Sequence, residues 1–193
     1  MRTAPAAAAE IDRLRIGVAG CQRYEDGLYT AYRFLSEEPD LDAIFHYGDY
    51  IYEYSGLKAS GGLAAVRVPA GGQEIYSLDD YRRRHAQVKL DPDLQAAHRS
   101  APFLMTFDDH EVDNNWAGTL DEGFTPSEAF MVRRTNAFQA WYENMPVRRA
   151  QMPRSGAIQA YRRLDFGRGS GMPGRGRRRL FDGGRRARGS ARR

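Results

Sequence analysis

At 193 residues, with 41% hydrophobic and 11% aromatic content, the chain is long enough to form one ordinary domain with a real core. No apolar run approaches the roughly 20 residues of a membrane span, and a single cysteine, Cys21, excludes an internal disulfide. The net charge of +4 is unevenly divided: residues 167–193 hold ten Arg against one Asp, a local +9, which leaves −5 on residues 1–166.

The first stretch, "MRTAPAAAAEIDRLR", offers an alanine run that soon meets Glu10, Asp12 and Arg13. Its apolar part is too short for a secretory signal, so the chain as written is expected to stay in the cytoplasm, with residues 1–13 flexible. "LRIGVAG" (14–20) then reads as a buried strand ending just before Cys21. In "LYTAYRFLSEE", Leu28, Ala31, Tyr32 and Leu35 recur at helical spacing. "LDAIFHYG" predicts a second buried strand, ending at Asp49, and the Gly-rich segment 55–77 reads as a long loop.

Two helices are expected next, "LDDYRRRHAQVK" and "DPDLQAAHRSA", the second opening with Asp91 as N-cap and Pro92 at the first helical position. A third apolar run, "PFLMTF" (102–107), ends directly on "DDHE". "TPSEAFMVRRTNAFQAWYENM" predicts a long helix opened by a capping box from Thr125 to Glu128, with Pro126 at its first position. "AIQAYRRLDFG" (157–167) is read as a further strand. Beyond it, 18 of the last 27 residues are Arg or Gly, a composition that builds no core and predicts a disordered basic tail.

Strands alternating with helices predict an α/β layered sheet, in which ligands gather beyond the carboxyl ends of the strands. Three predicted strands end, in order, on Cys21, on Asp49 and on Asp108-Asp109-His110. Carboxylates, a thiol and an imidazole converging there suit a multivalent metal site. Tyr52 ionises freely only near pH 10, so ligation as phenolate calls for a strongly acidic cation such as ferric iron. Carboxylate oxygens such as those of Asp109 suit a harder ion, calcium or magnesium. Two such cations clamp a phosphoryl group and activate water, with His110 placed to hydrogen-bond the phosphoryl oxygens or protonate a leaving group.

Each residue also has a plainer reading. Cys21 alone is a small buried hydrophobe, Asp49 caps a turn, and Tyr52 packs at a strand end. Asp108 and Asp109 serve as turn or N-cap residues, and turn formation accounts for Asn114 and Asn115 as well as a supporting role behind a metal does. His46, His85 and His98 have no partner pattern and are read as structural or exposed.

The segments "GVAGCQRYEDGLYTAYRFL", "IFHYGDYIYEY", "DPDLQAAHRSAPFLMTFDDHEVDNNWAG" and "YENMPVR" resemble, in order, the motifs of PhoD-like alkaline phosphatases, a branch of the metallophosphoesterases. The resemblance covers nearly all of residues 14–166. It implies the N-terminal part of a four-layer α/β sandwich and hydrolysis of phosphate mono- and diesters at a site of ferric iron (Fe3+) with calcium (Ca2+). It further implies that Cys21, Asp49 and Tyr52 are iron-side ligands, Asp49 bridging to calcium. Asp109 becomes a ligand of the second metal and His110 a phosphate contact; Asp108 is left as support, and Asn114 and Asn115 stay open between a supporting role and turn formation. Tyr50 and Tyr54 are left to packing.

The chain also departs from the family pattern. The late Gly-Asp-x-His ligand segment, the export signal and an additional N-terminal β domain have no counterpart in it, and an Arg/Gly run stands where another apolar strand is expected. A shifted reading frame in GC-rich DNA would produce such a switch, in keeping with 27 Arg against two Lys. Two alternatives therefore stand beside the phosphatase reading. One is an inactive truncated fragment whose open sheet edge drives oligomerisation or aggregation. The other is a basic-tailed protein that binds nucleic acid non-specifically, although its tail holds one aromatic, Phe181.

Overall fold

A computed structural model describes residues 5–6, 9–169 and 177–182, with 168–169 and 177–182 as backbone. The expected α/β class is observed. Strands β2 (Ile16–Ala19), β3 (Ala43–His46) and β4 (Phe103–Met105) form a parallel sheet in that spatial order. Ile16 pairs with Ala43, and Ile44 with Phe103. β3 is central and its residues Ala43 and Ile44 are fully buried, as expected for a parallel strand covered on both faces. The other two are edges, and Val18 on β2 remains largely exposed.

The helices are α1 (Thr30–Glu37), α2 (Leu78–Val88), α3 (Pro92–Ser100) and α4 (Ser127–Asn144). α1 packs on α3 and α2 on α4. Their apolar faces meet the sheet through Tyr81, Leu94, Ala97, Phe130 and Trp141, all buried. Each large side chain in this core stabilises the fold by about 1.5–3 kcal/mol. None of the described helices is long and apolar enough to cross a membrane.

Helix α3 starts as its sequence dictates: Asp91 caps it, accepting N–H bonds from Asp93 at 2.9 Å and Leu94 at 3.1 Å, with Pro92 in the first turn. The capping box expected at Thr125 does not form. Pro126 is the N-cap of α4 and provides no side-chain bond. The Thr125 N–H is instead donated to the Asp121 carboxylate at 2.8 Å, so Thr125 belongs to the preceding turn. A capping box does form on α2, between Ser77 and Asp80.

A second sheet joins β1 (Glu10–Ile11), β5 (Arg162–Gly169) and β6 (Arg177–Asp182). β1, within the segment read as flexible, pairs parallel with β5, and β6 pairs antiparallel with it. The strand expected at 157–167 is thus displaced toward the C-terminus, because residues 154–157 close an isolated bridge between Arg154 and Ala157 before it starts. The end of β5 (167–169) and all of β6 fall inside the stretch read as disordered, and residues 170–176 and 183–193 of that stretch lie outside the described residues. Arg162 donates to the Met105 carbonyl at 2.8 Å, which ties β5 to the end of β4.

Candidate metal centre

The ends of β2, β3 and β4 are bound to one another before any functional side chain is considered. Tyr47 N–H is donated to Ala19 at 3.0 Å, Cys21 N–H to Gly48 at 3.1 Å and Thr106 N–H to His46 at 3.0 Å. Gly48 has φ 123°, and a Cβ there would lie 2.4 Å from the Asp108 nitrogen, so only glycine lets the two strand ends approach this closely. Cys21 (φ 51°) and Asp49 (φ 53°) both take the left-handed conformation, which is uncommon for residues with a Cβ. Such backbone persists where the surroundings over-determine it, and it concentrates at functional sites.

One buried carboxylate supplies much of that determination. Glu111 is fully buried and accepts the N–H groups of Asp49 at 3.0 Å, Tyr50 at 2.5 Å and Asp108 at 2.7 Å. Burial pushes its pKa up to about 8, against three N–H donors that favour the anion.

Around this scaffold the side chains converge on Asp49. Its Oδ2 receives the Cys21 thiol at 3.2 Å and the Tyr52 hydroxyl at 3.2 Å. Its Oδ1 is buried with no hydrogen-bond partner among the described residues. Asp49, Asp109 and His110 each offer a donor atom, and the three atoms lie within 4.8 Å of one another. The predicted set Cys21, Asp49, Tyr52, Asp109 and His110 is therefore brought together, with Asp49 common to both halves.

The remaining candidates surround the cluster. The Asp108 side chain is exposed, and its contribution is the backbone N–H held by Glu111. Asn115 donates its backbone N–H to Asp109 Oδ2 at 2.6 Å. The side-chain amides of Asn114 and Asn115 both reach Glu122, each at 2.6 Å. Tyr50 turns away into the core and meets His98 at 2.9 Å, while Tyr54 stacks edge-on against His110 with ring centres 5.2 Å apart. His46 and His85 are fully buried, as structural histidines.

Sequence reasoning missed three members of the site. Glu53 is fully buried and pairs with His110 Nδ1 at 2.8 Å. Glu111 was passed over beside the more conspicuous His110. Arg84, from α2, donates one guanidinium nitrogen to the carbonyls of both Tyr52 and Tyr54. The available signal for Glu53 was a lone charge inside the aromatic run "YIYEY", where a solvated residue is out of place.

Electrostatically the cluster favours a cation. Burial, followed by Asp49, raises the Cys21 pKa to about 11, and burial with Asp49 raises that of Tyr52 as well. Burial is also the main cause of a raised Asp49 pKa, to which Asp109 and Asp108 add. For His110, burial works in the lowering direction and is outweighed by Glu53, Asp49 and Asp109, so its pKa is raised. Protons on Cys21 and Tyr52 sit where a cation would neutralise the same carboxylate. The orphaned Asp49 oxygen and the mixed S, O and N donor set fit a metal site.

Comparisons with known proteins point to one family. The sequence model for the family described as PhoD-like phosphatase matches residues 16–172. Alkaline phosphatase D of Bacillus subtilis (strain 168) is 43% identical over 166 residues, which cover 86% of this chain and 28% of that protein. A solved structure described as PhoD superimposes with a TM-score of 0.79 at 44% identity, over 86% of this chain and 31% of the other. The chain thus spans less than a third of the length of either relative.

Proposed function

The chain belongs to the PhoD-like phosphatase family, and from that premise we propose that it hydrolyses phosphate esters at a metal centre built on Asp49. The observation that carries this reading is the Asp49 carboxylate, with one oxygen shared by Cys21 and Tyr52 and the other buried and unpartnered. Cys21, Asp49 and Tyr52 would hold one cation, and a thiolate with a phenolate would suit ferric iron. Asp49 and Asp109 form an oxygen-rich half that suits calcium.

Cations held there would neutralise phosphoryl oxygens and supply hydroxide near neutral pH. The chain's own groups do the rest. Asp49, in contact with Cys21 and Tyr52 and grouped with Asp109, would be the ligand common to both halves. Cys21 and Tyr52 would serve a cation as thiolate and phenolate, giving up the protons they now share with Asp49. Asp109, oriented by the Asn115 N–H, holds the outer half. His110, with its Nδ1 engaged by Glu53, presents Nε2; when the ring takes up a second proton, which Glu53, Asp49 and Asp109 favour, Nε2 can hold a phosphoryl oxygen or deliver that proton to the departing alkoxide. Glu111 keeps the strand-end backbone in register beneath them.

The test is to purify the chain with ferric iron and calcium and assay a generic phosphomonoester at alkaline pH beside Asp49→Asn. Turnover that disappears in the variant is the expected result. Equal rates in the two proteins would remove Asp49, and with it the proposed centre, from the chemistry.

A further inference from the structure

We propose that Glu53 is the positioning residue that sets the tautomer of His110, holding the proton on Nδ1 so that Nε2 is the nitrogen offered to the Asp49–Asp109 cluster. The proposal rests on reading that cluster as the functional site.

The Glu53 carboxylate is fully buried, and each of its oxygens has one donor: Oε2 meets His110 Nδ1 at 2.8 Å, and Oε1 accepts the Asn114 N–H at 3.0 Å. An ionised carboxylate accepts and never donates, so the ring nitrogen it meets carries hydrogen. In the neutral imidazole the other nitrogen is then an acceptor with a free lone pair. His110 also contributes a donor atom to the group with Asp49 and Asp109, and with Nδ1 engaged that atom is Nε2.

The geometry resists rearrangement. Tyr52 lies 4.2 Å and Tyr54 5.2 Å, centre to centre, from the imidazole, which confines the ring plane. Arg84 holds the carbonyls on both sides of Glu53, so the carboxylate does not shift with the loop. A carboxylate on one ring nitrogen commonly sets the tautomer and orientation of the imidazole.

Glu53→Gln separates this role from simple support. A glutamine has one oxygen for two donors. The Asn114 backbone N–H can only donate, whereas the imidazole can exchange tautomers, so the glutamine oxygen stays with Asn114 and its NH2 faces His110; Nδ1 then becomes the acceptor and the proton moves to Nε2. Glu53→Asp keeps two acceptor oxygens.

The experiment is long-range proton–nitrogen correlation on the metal-free full chain with 15N-labelled histidine at alkaline pH, the His110 signals being assigned by their loss in His110→Asn. In the wild type, His110 Nδ1 is expected as the protonated, pyrrole-type nitrogen and Nε2 as the bare, pyridine-type one. Glu53→Gln should populate the opposite tautomer, and Glu53→Asp should not. A wild-type spectrum with hydrogen on Nε2, or a folded Glu53→Gln protein with an unchanged pattern, overturns the proposal. If the Gln variant fails to fold, the wild-type spectrum alone decides. Neither metal nor turnover enters this readout, so absent phosphatase activity would defeat the proposed function and leave the tautomer result standing.

Discussion

Glu111 accepts the Asp49 N–H at 3.0 Å across 62 residues of sequence, which makes one buried side chain on the β4 side responsible for the backbone of the central strand end. Because Tyr50 and Asp108 donate to the same carboxylate, its removal strands three N–H groups, two of them buried and one partly buried. Each unsatisfied buried donor costs about 1–3 kcal/mol. Glu111→Ala is therefore expected to lose roughly 3 kcal/mol or more in chemical denaturation. Glu111→Gln, which keeps one oxygen, should fall between. A loss below about 1 kcal/mol for the Ala variant would mean that water replaces the carboxylate at little cost.

The strand ends were legible in the sequence and their support was not, for a physical reason. Buried parallel strands announce themselves as apolar runs, and a Cys or Asp directly after such a run lies at the carboxyl edge whatever else happens. Asp49 and Asp109 could be found that way. Glu53 meets His110 57 positions away and Glu111 meets Asp49 62 positions away, and no local pattern encodes a partner at that distance. Thr125 failed in the opposite sense: its local pattern was right for a cap, but Asp121 captured its N–H and Pro126 took the cap position. The phosphatase motifs carried the family and the cluster, while the tautomer of His110 needed coordinates.

Metal binding should be visible as stability. A cation that binds the folded chain alone adds roughly 3 kcal/mol when its free concentration is about a hundred times Kd. Ferric iron with calcium is expected to raise the melting temperature of the wild type and to leave Asp49→Asn nearly unmoved. Tyr52→Phe should retain part of the shift and lose the visible absorption of an iron-bound phenolate. An equal thermal shift in the wild type and Asp49→Asn would assign the binding to some other part of the surface.

Asn115 tests the loop that orients Asp109. With φ 51° it sits in a region that asparagine and glycine enter more readily than alanine. Asn115→Ala is expected to lose about 1–2 kcal/mol in denaturation, together with weaker calcium binding as the Asp109 contact loosens. Asn115→Gly relieves the backbone and should recover most of the stability while still lacking the amide bond to Glu122. If alanine and glycine behave alike, the conformation is not what the asparagine provides.

His85 should make the fold acid-sensitive. It is fully buried on α2, both ring nitrogens lack a partner among the described residues, and burial with Lys89 one turn away lowers its pKa to about 3. The nearest ring is that of Tyr50, at 6.2 Å. A folded pKa below the unfolded value near 6.5 means that the unfolded chain binds the extra proton. The contribution is complete above about pH 6.5 and drains away as pH falls from there toward 3, at roughly 1 kcal/mol per pH unit. His46, whose pKa burial likewise lowers to about 3, adds a parallel loss. Comparing wild type with His85→Leu isolates one of the two. The variant is expected to match or exceed wild-type stability at pH 7, since it removes two unpaired polar atoms, and to show a shallower decline between pH 6 and pH 4. Superimposable slopes would mean that His85 finds a proton partner on acidification and is not held neutral by the core.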